Sequence, residues 1–209
     1  ISLNSAVLFS CGFIVNFVLG GITGVALAQV PFDVHVHDTY FVVAHFHYIV
    51  YGGSVFVIFA SVYHWYPKIT GRMLNEHLGR LHFLLTFVGF NLCFAPQHWL
   101  GLNGMPRRVA EYDPQFELVN QISSAGALLM AISTLPFLWN VIASAFYGVI
   151  AGDNPWRALT PEWLTSSPPP VENWKGEAPL VTHPYGYGIP ADEIDLSSAS
   201  GSDLWRGGQ

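Results

Sequence analysis

Residues 35–66 read HVHDTYFVVAHFHYIVYGGSVFVIFASVYHWY. From Thr39 to Tyr66 the stretch holds no Asp, Glu, Lys or Arg. A helix needs about 20 apolar residues to cross the hydrocarbon core of a bilayer, so this stretch predicts a membrane-spanning helix. It lacks the apolar–polar alternation of a membrane barrel strand. Outward from it, Ala6–Gln29, Leu81–Gly101 and Ile122–Ile150 meet the same requirement. Pro96 and Pro136 fall inside the third and fourth spans and are expected to kink them, with neighbouring helices satisfying the freed carbonyls. Gly20, Gly21 and Gly24 would weaken a soluble helix, but in a membrane small residues let helices approach closely. Tyr66-Pro67 is expected to close the second span sharply. Trp65, Tyr66, Trp99 and Trp139 are candidate interfacial anchors. The fold class is all-α: a polytopic membrane helix bundle of four predicted spans with an irregular, Pro-rich C-terminal tail.

Composition agrees. Of 209 residues, 51% are hydrophobic and 11% charged, against about a quarter charged in a soluble domain. Mean hydropathy is +0.37. A formal charge of −6 offers no basic surface for phosphate, so nucleic acid is excluded as a partner and the lipid bilayer is the expected one. Residues 67–80 carry Lys68, Arg72 and Arg80 against Glu76. Residues 102–121 carry Arg107 and Arg108 against Glu111, Asp113 and Glu117. By the positive-inside rule the first loop is cytoplasmic, on a margin of three basic residues to two. The fourth span then returns the chain to that side. Residues 151–209 hold 8 of the 14 prolines and 8 of the 14 acids, which excludes a fifth span there. Pro168-Pro169-Pro170 is a polyproline step, His183 is read as solvent-facing, and Ser197–Gln209 is expected to fray. The chain therefore divides into a membrane part, 1–150, and an extended cytoplasmic tail, 151–209, lying against partners. Cys11 and Cys93 sit in apolar runs and read as small buried or lipid-facing thiols. The chain begins at Ile1 without a charged region before its first apolar run, and is read as a fragment or mid-protein start, not as a signal peptide.

Nine histidines are present, and His35, His37, His45 and His47 fall within thirteen residues. Ionisable groups at membrane depth are costly and usually functional, and even a neutral imidazole needs a partner. Each helical residue turns about 100°, so His45 and His47 project about 200° apart. One metal cannot take both, and the i, i+4 pair of a helical zinc site is missing. Two sites, one on each side, can each take one ligand. A cofactor that fits between membrane helices, accepts a single axial His and offers large flat apolar faces is haem. Tyr40, Phe41, Phe46, Tyr48 and Tyr51 lie nearby to pack on it. The competing reading is two core histidines bonded to backbone carbonyls.

His37 and Asp38 precede the span. Two readings are open: an N-cap by Asp38 or Thr39, or a hard-cation site of Asp, His and water above the cofactor. Arg107 and Arg108 follow Gly104-Met105-Pro106 in the loop after the third span. Spans two and three run antiparallel, so this loop is expected at the membrane face that carries His37 and Asp38. Two guanidiniums there could clamp carboxylates such as haem propionates, or form an ordinary juxtamembrane basic pair. His64, His77, His82 and His98 read as structural.

At these residues the sequence resembles subunit I of the haem–copper terminal oxidases, and within them is most similar to the cytochrome c oxidases. The matching words are His37-Asp38-Thr39-Tyr40-Phe41-Val42-Val43-Ala44-His45-Phe46-His47-Tyr48, Pro96-Gln97-His98 and Gly101-Leu102-Asn103-Gly104-Met105-Pro106-Arg107-Arg108, with Ile122-Ser123-Ser124 and Pro168-Pro169-Pro170. The resemblance implies that the chain is the C-terminal part of such a subunit, with these roles. His45 is the axial ligand of the high-spin haem, where oxygen binds, and the catalytic residue. His47 is an axial ligand of the low-spin haem, and Phe46 lies between the two. His37 and Asp38 ligate magnesium near the propionates. Arg107 and Arg108 hold propionates, and Asp33 and Tyr40 are candidates for that polar network. The cofactors implied are two haems of A type and magnesium, with copper held in the full subunit by ligands absent from this chain. The partners implied are oxidase subunits II and III, cytochrome c as electron donor, and oxygen. The reaction implied is electron transfer from cytochrome c to oxygen, reduced to water, coupled to proton translocation in a bacterial plasma membrane or mitochondrial inner membrane. His35 matches no ligand position.

Three other readings compete: a quinol-fed oxidase of the same superfamily, a non-catalytic scaffold or channel, and a dihaem cytochrome b-type carrier. The last stacks two haems along one helix with ligands about four turns apart, and neither His45 with His47 nor His37 with His45 has that spacing.

Overall fold

The structure, a computed structural model, describes residues 3–158 and 160–174. The tail beyond Trp174, with His183 and Ser197–Gln209, lies outside the described residues. The helices are α1 (Ser5–Leu27), α2 (Val30–Val36), α3 (Tyr40–Thr70), α4 (Glu76–Leu102) and α5 (Glu117–Tyr147). No strand occurs among the described residues; Thr39 and Pro106 form an isolated bridge. The helices α1, α3 and α4 and the run Pro114–Tyr147 are each long and apolar enough to cross a membrane. The all-α polytopic reading therefore holds.

Helix ends follow side-chain caps that hydropathy does not register. Asn75 Oδ1 accepts from the backbone N–H groups of His77 and Leu78 at 2.9 and 3.1 Å, so α4 begins at Glu76 and not at Leu81. The Glu76 carboxylate then accepts from Ser5 N and Oγ at 2.9 and 2.7 Å, tying the start of α4 to the start of α1. The fourth span likewise starts earlier, at Glu117, and ends at Tyr147, short of Ile150. The expected stop at Tyr66-Pro67 is corrected: α3 continues through Pro67 to Thr70. A proline disfavours helical backbone before it but does not forbid it. Tyr66 is held in place by its hydroxyl, which donates to Val141 O at 2.8 Å. Tyr66 is buried, whereas Trp65, Trp99 and Trp139 are 44%, 48% and 66% exposed.

Two local features were not foreseen. Gln29-Val30-Pro31 starts the short α2, with Pro in its first turn, a favoured place for a residue without N–H. Within α3, Tyr51–Val55 is a π-helical turn between two α-helical stretches. It falls at Gly52-Gly53, where a Cβ on Gly52 would lie 2.8 Å from Asn16 Cβ.

The chain forms two compact units. The first comprises Ile1–Tyr66 and Met73–Val149. Its core is aromatic: Phe9, Phe56, Tyr63 and Phe90 are buried together. His82 is fully buried among them, with ring centroids 4.8 Å from Phe9, 4.5 Å from Phe59 and 4.9 Å from Phe137, and its Nδ1 3.1 Å from Tyr63 Oη. Against α5, α4 is joined by Thr86 Oγ1 donating to Ser133 Oγ at 2.9 Å and by Ser123 Oγ donating to Cys93 O at 2.8 Å. Cys93 is buried and Cys11 exposed, both as free thiols. The second unit gathers Pro67–Arg72 with the described residues that follow Val149. There Lys68 Nζ donates to Thr165 O at 2.7 Å and Asp153 O at 3.0 Å, and lies 5.0 Å from the centre of the Trp163 ring.

Candidate functional site

The site grows from the first three turns of α3. Thr39 caps the helix, its Oγ1 accepting from Phe41 N at 3.2 Å, which leaves Asp38 free for another partner. Six and eight residues on, His45 and His47 leave the helix on opposite sides, as their spacing requires. His45 faces α1, with Nδ1 3.1 Å from Gly20 O and 3.0 Å from Thr23 Oγ1. A Cβ on Gly24 would stand 3.0 Å from His45 Cε1, and one on Gly20 2.8 Å from Ile49 Cδ1. The glycines of α1 are therefore what admit α3 and this imidazole. His47 faces α4 and stacks on Phe94, with centroids 4.0 Å apart and planes at 15°. Its Nδ1 is 2.7 Å from Val43 O. Phe46, between them, is 39% exposed.

A polar rim closes the same end of α3. Tyr40 N donates to Met105 O at 3.1 Å and Arg107 N to Asp38 O at 3.1 Å. These bonds bring the α4–α5 loop to His37 and Asp38, as the antiparallel run of the two spans predicts. Arg107 Nε donates to Asp38 Oδ1 at 2.8 Å. This bond holds the Asp38 carboxyl below its ordinary value; a small cost of burial opposes it, while the charges of Arg107, Arg108 and His37 act with it. Arg108 is exposed in a left-handed conformation, φ 64°. His37 Nδ1 lies 3.1 Å from Asp33 O. The Tyr40 ring packs on Leu100, Met105 and Phe116, and neither its hydroxyl nor the Asp33 carboxylate hydrogen-bonds to the rim among the described residues. His35 is exposed on α2.

His37, His45 and His47 share one arrangement. Each places Nδ1 on a backbone carbonyl. A carbonyl can only accept, so the Nδ1–H tautomer is set and Nε2 keeps its lone pair. That is how proteins prepare histidine as a metal ligand. The donor set fits axial ligation of haem on two sides of α3. It does not by itself complete a cation site at the rim: no group of three or more His, Cys, Asp or Glu converges among the described residues.

A family model described as Cytochrome C and Quinol oxidase polypeptide I matches residues 1–129. The chain belongs to this family. Cytochrome c oxidase subunit 1 of Synechocystis sp. is 58% identical over 195 residues, 93% of this chain and 35% of that protein. Cytochrome c oxidase subunit 1 of Thermostichus vulcanus is 61% identical over 190 residues, 90% of this chain and 34% of that protein. The chain thus spans about a third of the length of these curated relatives. A cryo-EM structure of a heme-copper terminal oxidase dimer shares the fold, with TM-score 0.62 at 24% identity over 70% of this chain and 27% of that one. Family membership and the four helices long and apolar enough to cross a bilayer point to an integral membrane protein.

Gly20, Thr23 and Gly24 around His45, and Phe94 against His47, were not singled out as site residues from sequence. The three glycines of α1 read only as packing. Nothing local marks Thr23 or Phe94; their roles come from how α1 and α4 register against α3.

Proposed function

We propose that this chain is the haem-binding part of subunit I of a respiratory terminal oxidase, which passes electrons from cytochrome c to oxygen, reduces it to water and couples this to proton translocation. The observation that carries the reading is the pair His45 and His47, on opposite sides of one spanning helix, each with Nδ1 on a carbonyl and Nε2 available. His45 would hold the high-spin haem and act as the catalytic residue, His47 would hold the low-spin haem, and Phe46 would lie between the two. Bound haem would supply one-electron redox chemistry and oxygen binding.

The chain's own residues do the positioning. Gly20 O and Val43 O orient the two imidazoles. Arg107, anchored on Asp38 through Nε, keeps its remaining guanidinium nitrogens for a propionate, and exposed Arg108 serves a second. His37 Nε2 and the Asp38 carboxylate ligate magnesium at the rim, with further ligands from outside this chain. Asp33 and Tyr40 line the same rim. Copper is held by residues elsewhere in the full subunit. The haems are of A type, and subunits II and III, cytochrome c and oxygen are the partners. The membrane is a bacterial plasma membrane or mitochondrial inner membrane, with residues 1–150 as its membrane part and 151–209 as a cytoplasmic tail. The names of the similar proteins from Synechocystis and Thermostichus vulcanus support cytochrome c over quinol as donor.

A reduced-minus-oxidised visible spectrum of membranes containing the full-length parent, with and without carbon monoxide, tests this. The reading predicts two haem signals, one of them shifted by carbon monoxide. Absence of any haem signal would overturn it in favour of a structural membrane protein.

A further inference from the structure

The His45 nitrogen that faces α1 has two polar neighbours, and only one belongs to the backbone. Thr23 has a single hydroxyl proton, and it is donated to Gly20 O at 2.8 Å. With that proton committed, Thr23 Oγ1 meets His45 Nδ1, 3.0 Å away, as an acceptor. Gly20 O, 3.1 Å from the same nitrogen, can only accept. Both neighbours therefore require the proton on Nδ1. A hydroxyl turned to donate to Nδ1 would instead push the proton to Nε2 and block ligation there. The Gly20 carbonyl prevents this by claiming the hydroxyl first. The hydroxyls of Ser10 and Thr134 bond only to their own helix among the described residues, on Ala6 O and Ala131 O. Thr23 makes that bond and reaches across to α3 as well.

We infer that Thr23 is a positioning residue for His45: its Oγ1 shares the Nδ1 proton with Gly20 O, fixes the ligating tautomer and raises the basicity of Nε2. This rests on the reading of His45 as an axial haem ligand. The effect belongs to one side of α3, because among the described residues the Nδ1 proton of His47 meets Val43 O alone.

In the complete oxidase, Thr23→Val keeps the shape and removes the hydroxyl. The Fe–histidine stretching frequency of the high-spin haem should fall. Its oxidised-to-reduced ratio at fixed potential should move about tenfold toward the reduced form, a scale taken from the roughly 10–100-fold that outer-layer changes cost in metal affinity or activity; for a one-electron couple that is about 59 mV. The low-spin signal should stay in place, and Thr23→Ser should restore the parent values. An unchanged frequency in Thr23→Val overturns the inference. So does an equal change at both haems, or loss of both, which would make Thr23 a packing residue only. If Thr23→Val fails to assemble, Thr23→Ala provides the same comparison. Failure of the underlying reading looks different: His45→Ala, with Thr23 intact, would then leave the high-spin signal in place.

Discussion

Asp38 is the residue whose charge holds the polar rim together. Its carboxylate meets Arg107 Nε at 2.8 Å, with the aspartate side chain 67% exposed. Because the arginine depresses its folded-state pKa below the ordinary 3.8, the ionised pair stabilises the fold in full above that value. The contribution is lost as pH falls through the lowered one. Thermal unfolding of the parent and of Asp38→Asn should therefore differ by a constant amount near neutrality, and the gap should close below about pH 4. A gap that persists unchanged into acid would contradict the pairing. At this scale the sequence is informative where a single helix decides the geometry. The two-residue spacing of His45 and His47 dictates opposite faces whatever surrounds them. The choice of Thr39 over Asp38 as cap, and of Asp38 as the partner of Arg107, depended on where residues some seventy positions on return. That was readable only as a shared membrane face.

At the scale of elements, hydropathy located all four spans but not their ends. Ends are set by single polar groups such as Asn75, which a window average dilutes. The π-helical turn of α3 and the close approach of α4 to α5 are likewise matters of atoms. A Cβ on Gly126 would stand 2.7 Å from the carbonyl carbon of Leu92 and 2.8 Å from Cys93 Cα, with no flexible side chain able to yield. Gly126→Ala should force the two helices apart at a cost of about 1–3 kcal/mol. It should also weaken the bond from Ser123 Oγ to Cys93 O. Unfolding of the purified protein in denaturant would register the loss. Full stability in this variant would mean that α4 and α5 do not pack as closely as described.

For the whole molecule, the bundle explains why the proposed haem-ligand pair is legible in a chain about a third as long as its relatives. His45 is oriented by α1 and His47 by its own helix and Phe94, so both imidazoles are prepared without residues from elsewhere. In the proposed function they serve two different haems. Its most direct test is a pair of substitutions, His45→Ala and His47→Ala, in the full-length subunit, read by visible spectra with and without carbon monoxide. His45→Ala should abolish the carbon monoxide-sensitive signal and spare the other, and His47→Ala should do the reverse. If both variants kept the parent's haem content and spectra, the assignment of these two histidines as ligands would be wrong.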